Sequence, residues 1–406
     1  MPKIYVDRVV DDLYILRIDD DEVRYFEALW SIPEGVTYNS YVLLTNEGAV
    51  VFDSWKHVYA DLFVDTLKKI VDLRDIKYIV VHHMEPDHSG AIPKLLQETG
   101  KEPVILGHPI AKNIFISFYG FEPKFRVVKD LEELVVGGKK LRFIYIPWLH
   151  WPDTIATYLE DLGVVLTCDA FGGYGTPKSL YNDNDSVIEE FLPLARKYLA
   201  NIVGHYREHI VKNIEKLLGL GIEIKIVAPA HGLVWIRNPR TIINYYYKLG
   251  KAEPENRKIL VIYSSMYGFL EKAVNIAVEE LVNKGFKVKI YRFTDREQPH
   301  ISDILGDAID SNAIVLGIST YDGDIFPVIR YVVQLLIDKI NADKPILIIN
   351  NYGWGKLQED KLNNLFKTSK FKIVDVVYVN GLPQENDVEK IKQNIEKLVN
   401  TIPKHS

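Results

Sequence analysis

The sequence predicts a two-domain α/β protein, and three observations carry that expectation. Its 406 residues exceed what one hydrophobic core usually organises. Short β-branched runs dominate the first half, whereas strand and helix patterns alternate regularly after residue 256. Between them, Lys251-Ala252-Glu253-Pro254-Glu255-Asn256 is polar and contains a proline, as a domain boundary should. We therefore expect a strand-rich domain over residues 1–252 and a doubly wound parallel sheet over 257–406.

In the first domain, Ile4 to Ile18 alternates well enough for two strands around Asp11-Asp12. Tyr38 to Leu44 and Ala49 to Phe52 form a hairpin across Asn46-Glu47-Gly48. Tyr59 to Leu73 has helical spacing, Ile92 to Glu98 and Ile110 to Phe118 read as helices, and Val104 to Leu106 as a strand. Leu141 to Ile146 and Thr157 to Leu166 read as further strands.

Between the first helix and the next lies the stretch with the most chemistry. Ile79-Val80-Val81 is a buried strand that empties into His82-His83-Met84-Glu85-Pro86-Asp87-His88-Ser89-Gly90. His83, Glu85, Asp87 and His88 are metal-capable groups within six residues, denser than a polar turn with capping residues needs. The spacing H-x-E-x-D-H has ligands enough for two metals rather than one. Strand alternation assigns His82 to packing.

Three later segments each add a donor. His150 sits in Pro147-Trp148-Leu149-His150-Trp151-Pro152-Asp153, a rigid apolar turn; alone, it would more often be a packed histidine. Asp169 ends the apolar run Val164 to Cys168, where a carboxylate is costly to bury without a partner, and a position between two cations supplies one. His231 follows Ile226 to Ala230 and precedes Gly232.

Composition narrows the classes. With 47% hydrophobic and 26% charged residues and a net charge of -6, nothing argues for nucleic acid or a membrane surface as a partner. No apolar stretch approaches the ~20 residues of a membrane span. The start Met1-Pro2-Lys3-Ile4-Tyr5 has no signal-peptide core, so a cytoplasmic location is expected. The single cysteine, Cys168, excludes an internal disulfide, a Cys-ligated iron–sulfur cluster and a four-cysteine iron within this chain. Any electrons come from an external donor.

In the second domain, strands are expected at Ile259 to Tyr263, Lys287 to Tyr291, Ala313 to Leu316, Ile346 to Asn350 and Val374 to Val379. Helices Glu271 to Leu281 and Val388 to Val399 belong to the alternation. With strand order 2-1-3-4-5, ligands bind at the carboxyl ends beside the switch point, in the loops after the first, third and fourth strands. Those loops are Ser264-Ser265-Met266-Tyr267-Gly268, Ser319-Thr320-Tyr321-Asp322-Gly323 and Asn351-Tyr352-Gly353-Trp354. The first runs into a helix whose N-terminus, with serine hydroxyls and backbone amides, suits a phosphate. The other two offer aromatic faces for a flat ring. Neither G-x-x-x-x-G-K-[ST] nor G-x-G-x-x-G occurs, so a flavin mononucleotide (FMN) fits better than a nucleoside triphosphate or dinucleotide.

The series His83, Glu85, Asp87, His88, His150, Asp169, His231 resembles the metallo-β-lactamase-like αββα sandwich, specifically its flavodiiron branch. Hydrolytic members have histidine where this chain has Glu85, and a hard oxygen donor shifts preference from zinc toward iron. The second domain resembles flavodoxin, with Met266-Tyr267-Gly268, Thr320-Tyr321-Asp322-Gly323 and Tyr352-Gly353-Trp354 matching the flavodiiron version. The resemblance covers nearly the whole chain. It implies that His83, Glu85 and His150 hold one iron, Asp87, His88 and His231 the other, and Asp169 bridges. It further implies FMN-relayed electrons, reduction of O2 to water or NO to N2O, and a head-to-tail homodimer or dimer of dimers. The donor would be a rubredoxin, a flavoprotein reductase or reduced F420.

Two departures stand out. Phe26 to Pro33 lacks the histidine many members carry near the metals, which resembles an archaeal variety including coenzyme F420-dependent oxidases. Phe269-Leu270 replaces a usual Asn-Thr pair, removing a hydroxyl from the phosphate loop. For His205 and Tyr206, in Ala200 to Tyr206, a place near the metals and an ordinary helix are equally open. The alternatives are a zinc-dependent hydrolase fused to a flavodoxin-like module, and an electron carrier whose first half is inert scaffolding.

Overall fold

The computed structural model describes residues 2–100 and 102–402. Met1 and Ser406, which bound the two expected domains, lie outside the described residues. The chain divides after Gly250 into two compact units.

The first unit is built on two sheets. The larger runs in chain order through β1 (Lys3–Val10), β2 (Leu13–Asp20), β3 (Val36–Thr45), β4 (Gly48–Phe52), β5 (Ile76–Val81), β6 (Val104–Gly107) and β7 (Phe125–Val127). Its first pairings are antiparallel, and those from β4 to β7 are parallel. The smaller contains β8 (Glu133–Val136), β9 (Lys139–Tyr145), β10 (Ile155–Leu159), β11 (Val164–Cys168) and β12 (Ile226–Pro229), with only β11 and β12 parallel. Alternate residues of both sheets meet in one core: Leu13, Ile15, Tyr41, Leu43, Val50 and Phe52 from one, Leu141, Phe143, Val164, Leu166, Ile226 and Ala228 from the other. Each such aliphatic side chain contributes about 1.5–3 kcal/mol on burial, so register is tightly specified. The sandwich expected from the resemblance is therefore present.

Local chemistry sets the turns. In the β3–β4 hairpin the Thr45 hydroxyl donates to the Gly48 carbonyl at 2.6 Å. Gly48 has φ of 115°, and a Cβ there would lie 2.5 Å from the Asp75 carbonyl oxygen. Two expectations are corrected. The helix expected over Tyr59 to Leu73 is α1 (Ala60–Leu67): past Leu67 the amides of Lys69 and Ile70 bond three residues back, to Thr66 and Leu67, and a short 3-10 segment capped by Asp72 follows. The strand expected over Thr157 to Leu166 is a hairpin, β10 and β11, turned at Gly163 with φ of 68°. Helices α2 (Ile92–Glu98) and α3 (Pro109–Tyr119) follow nearly as expected, and α4 (Asp185–Tyr198), α5 (Arg207–Gly219) and α6 (Arg240–Gly250) complete the unit.

The second unit has five parallel strands, β13 (Lys258–Ser264), β14 (Lys287–Phe293), β15 (Ala313–Tyr321), β16 (Pro345–Tyr352) and β17 (Lys372–Asn380), plus a short hairpin strand on β15. Their order is β14-β13-β15-β16-β17, the expected 2-1-3-4-5. Every residue of β13 is buried, as a strand covered on both faces requires. Leu270, Val274 and Leu281 of α7 (Phe269–Asn283) and Ile391, Ile395 and Leu398 of α8 (Glu385–Thr401) cover one face.

Candidate metal centre and flavin site

In the first unit, β5, β9, β11 and β12 end at the same edge of the sandwich, and each exit carries donors. β9 and β11 point the same way because both are antiparallel to β10. Beyond β5 the chain forms a helical turn, Pro86–Ser89, with Pro86 in its first position, where the absent N–H costs nothing. That turn aims Asp87 and His88 inward. Gly232 follows His231 with φ of 77°, and a Cβ there would lie 2.2 Å from the Phe191 ring.

The seven expected donors converge as two triads around one carboxylate. The donor atoms of His83, Glu85 and His150 lie within 4.8 Å of one another, as do those of Asp87, His88 and His231. Glu85 Oε2 is 2.9 Å from His150 Nε2 and 3.3 Å from His83 Nε2. Between the triads, Asp169 Oδ1 is 3.0 Å from His88 Nε2 and 3.2 Å from His231 Nε2, while Oδ2 faces His83 and His150 at 3.8 and 3.9 Å. All are buried except the partly exposed Glu85.

Burial of so many ionisable groups is unfavourable unless charges compensate. Burial opposes charging His83 and His88, yet nearby carboxylates prevail: Asp153 and Glu85 hold His83 well above its ordinary range, and Asp87 and Asp169 raise His88 to about 10. Burial likewise opposes the carboxylate form of Asp169, but His88 and His231 hold it well below the usual range. Asp87 is pushed up, chiefly by burial. Both Asp87 carboxylate oxygens and His88 Nδ1 are buried with no hydrogen-bond partner. Buried unpaired polar atoms of this kind are rare, and cations are what such a donor set fits.

Supporting contacts that motif reading missed orient these donors. Asp153 Oδ1 lies 3.1 Å from His83 Nδ1, and its other oxygen accepts from the Met84 amide at 2.9 Å. The Thr37 carbonyl receives His231 Nδ1 at 2.6 Å, and the Tyr198 hydroxyl donates to Asp169 Oδ1 at 2.6 Å. Asp153 carried a signal, an acid ending the Trp-Pro turn; a carbonyl and a helix tyrosine carry none. His82 is engaged elsewhere, by Asp53 at 2.7 Å and Thr157 at 2.9 Å, and stacks on Phe52. His205 is exposed beside Tyr206, whose ring packs on Trp148; neither joins the triads. Phe26, from the loop without histidine, packs edge-on to His231, with ring centroids 5.8 Å apart.

In the second unit, the carboxyl-end loops enclose a cavity of about 270 Å³. Of the expected residues, Ser265, Met266, Tyr267, Ser319, Thr320, Asn351, Tyr352, Gly353 and Trp354 line it. Ser264, Gly268, Tyr321, Asp322 and Gly323 belong to the same loops but do not line it. The Ser264 hydroxyl is buried without a partner, and the Ser265 hydroxyl accepts from the Gly268 amide at 3.1 Å, shaping the turn before α7. The Asn351 side chain instead donates to the Val379 and Gly381 carbonyls, so it braces the loop. Phe269, Leu270 and Gly381 are additional lining residues; Gly381 follows the fifth strand, whose loop sequence reasoning did not select.

Residues 36–232 match the family described as ODP family beta lactamase. A point variant of the flavo di-iron protein from Thermotoga maritima superposes with a TM-score of 0.93 at 42% identity, covering 98% of this chain and 99% of that one. A protein titled rubredoxin oxygen:oxidoreductase from Desulfovibrio gigas shares the fold, with a TM-score of 0.91 at 24% identity over 98% of both chains. A curated relative named nitric oxide reductase, from Moorella thermoacetica, is 27% identical over 90% of each chain. Similarity at that level to the Thermotoga protein runs through both units from end to end, so this chain belongs to the flavodiiron protein family.

Proposed function

We propose that the protein is an oxidoreductase that reduces a small gaseous oxidant, O2 or NO, at a pair of irons with electrons relayed by FMN. The carrying observation is the double triad with Asp169 between its halves. His83, Glu85 and His150 would hold one iron, Asp87, His88 and His231 the other, and Asp169 both. When bound, the irons and flavin supply the redox chemistry. This chain's residues orient and exclude. Asp153 presents His83 Nε2 to the centre by occupying Nδ1, as the Thr37 carbonyl does for His231, and Tyr198 fixes one oxygen of Asp169. Phe26 and Tyr38 pack against His231 and limit water there.

In the second unit, the loop from Ser264 to Gly268 and the N-terminus of α7 would hold the flavin phosphate, and Tyr352, Trp354 and Thr320 would border the ring. The unpartnered Ser264 hydroxyl supports this, standing in for the hydroxyl that Leu270 lacks. We extend the proposal to a homodimer served by an external electron donor: relatives are named for rubredoxin and flavorubredoxin, and the loop aromatics Tyr267 and Trp354 are 82% and 85% exposed. Sedimentation of an active preparation as monomers only would contradict the dimer.

The zinc hydrolase reading is disfavoured by Glu85 and by relatives named as oxidoreductases. The test is anaerobic reduction of metal-quantified protein followed by separate additions of O2 and NO. Iron, bound flavin and reoxidation by at least one gas are expected. Two zincs with esterase or thioesterase turnover would overturn the proposal.

A further inference from the structure

Cys168 is the chain's single cysteine, and nothing in the proposed iron centre uses it. It ends β11, fully buried, directly before Asp169, with φ of 52°. That left-handed backbone, uncommon for a residue with a side chain, accompanies a turn that sets thiol and carboxylate near each other, Sγ lying 3.9 Å from Asp169 Oδ2. Donor atoms of Cys168, Asp169 and His88 all fall within 4.8 Å of one another. A tetrahedral cation with bonds of about 2.3 Å to sulfur and about 2.0 Å to oxygen separates those two atoms by roughly 3.5 Å, so that pair needs a side-chain adjustment of only a few tenths of an ångström. Independent of the cysteine, the pocket holds buried polar atoms without partners: both oxygens of Asp87, and His88 Nδ1.

We infer that the centre contains a second, overlapping donor set, His88, Cys168 and Asp169, which takes a thiophilic divalent cation such as zinc or cadmium. Binding replaces the S–H bond by an S–metal bond and releases one proton to solvent; no electron is exchanged. Hard oxygen and nitrogen donors surround the rest of the centre, so the sulfur separates cations by softness. Iron is held by the triads, whereas a thiophilic ion is drawn toward Cys168 and occupies His88 and Asp169, which the iron pair would need. The inference rests on donor geometry and stands whether or not the iron-loaded protein reduces O2 or NO.

Cadmium is the probe, added without reductant to the full-length chain after metal removal. Because there is one cysteine, ultraviolet thiolate-to-cadmium charge-transfer absorption can only report Cys168. The expected result is a band saturating with cadmium, and in C168S a lost band with affinity weakened at least about tenfold, as for a lost coordinating group. Cadmium bound by the wild-type chain without that band, or with unchanged affinity in C168S, would overturn the inference. Should C168S fail to fold by circular dichroism, the wild-type spectrum alone decides.

Discussion

The two sites of this chain are built in opposite ways. The metal centre is an interior object: its donors leave the ends of strands whose apolar faces form the sandwich core, and nearly all are buried. The flavin cavity is a rim object, made from loop backbone, hydroxyls and aromatic rings that are largely exposed. In the first, charge must be neutralised for the polypeptide to close over it; in the second, loop shape does most of the work and side-chain charge very little. It follows that substitutions at the centre should disturb ligand binding and folding energetics together, while substitutions on the rim should separate them.

The most damaging test of that contrast is Asp169→Asn. Asp169 touches both triads and carries the negative charge that His88 and His231 stabilise. Iron content should fall below two per chain and gas reduction should drop by more than the ~10–100-fold that a lost supporting contact costs. Parental turnover in this variant would instead favour the inert-scaffold reading. Next comes Asp153→Asn, which keeps the shape but weakens the acceptor on His83 Nδ1. Metal affinity at the His83, Glu85, His150 position should fall by about 10–100-fold, with the other triad still loaded. Equal loss from both positions, read by metal titration, would show that the triads are not separable. Smaller again, Tyr198→Phe removes a hydroxyl from Asp169 Oδ1, which keeps two imidazole neighbours. The metal-free protein should lose about 1.5 kcal/mol in chemical denaturation while metal stoichiometry is retained.

How much was legible beforehand follows the same division. The seven donors could be read because His83, His150, Asp169 and His231 closely follow apolar runs, a pattern burial makes expensive and therefore informative, and Glu85, Asp87 and His88 crowd the loop after the first of them. What orients them could not: the Thr37 carbonyl and Tyr198 owe their roles to the packing of β3 and α4 against strand ends far away in sequence. The sheet order of the second unit was legible from alternation, and the cavity loops from strand order. Gly381 was not, because the fifth strand lies beyond the switch point and its glycine resembles any turn. Periodicity also blurred the β10–β11 hairpin, since Leu162 resumes the apolar pattern inside the turn that Glu160, Asp161 and Gly163 make. Helix α1 was overestimated for a related reason: Ile70, Val71 and Leu73 keep helical spacing beyond Leu67, where the helix has already ended.

The smallest expected effect on folding sharpens the comparison from the rim side. Trp354 is 85% exposed, lies 3.9 Å from where a Cβ on Gly323 would sit, and borders the cavity. Exposed side chains away from caps and networks usually change stability by no more than about 0.5 kcal/mol on truncation, so Trp354→Ala should leave the flavin-free melting transition of the second unit essentially in place. Yet an aromatic face bordering a flat ring contributes about 0.5–1.5 kcal/mol beyond its buried area, so flavin should dissociate several-fold more readily. Fluorescence of released flavin measures the second effect and denaturation of flavin-free protein the first. If both move together by more than 1 kcal/mol, Trp354 is part of the fold's own packing, and the flavin cavity resembles the metal centre more than its exposure indicates.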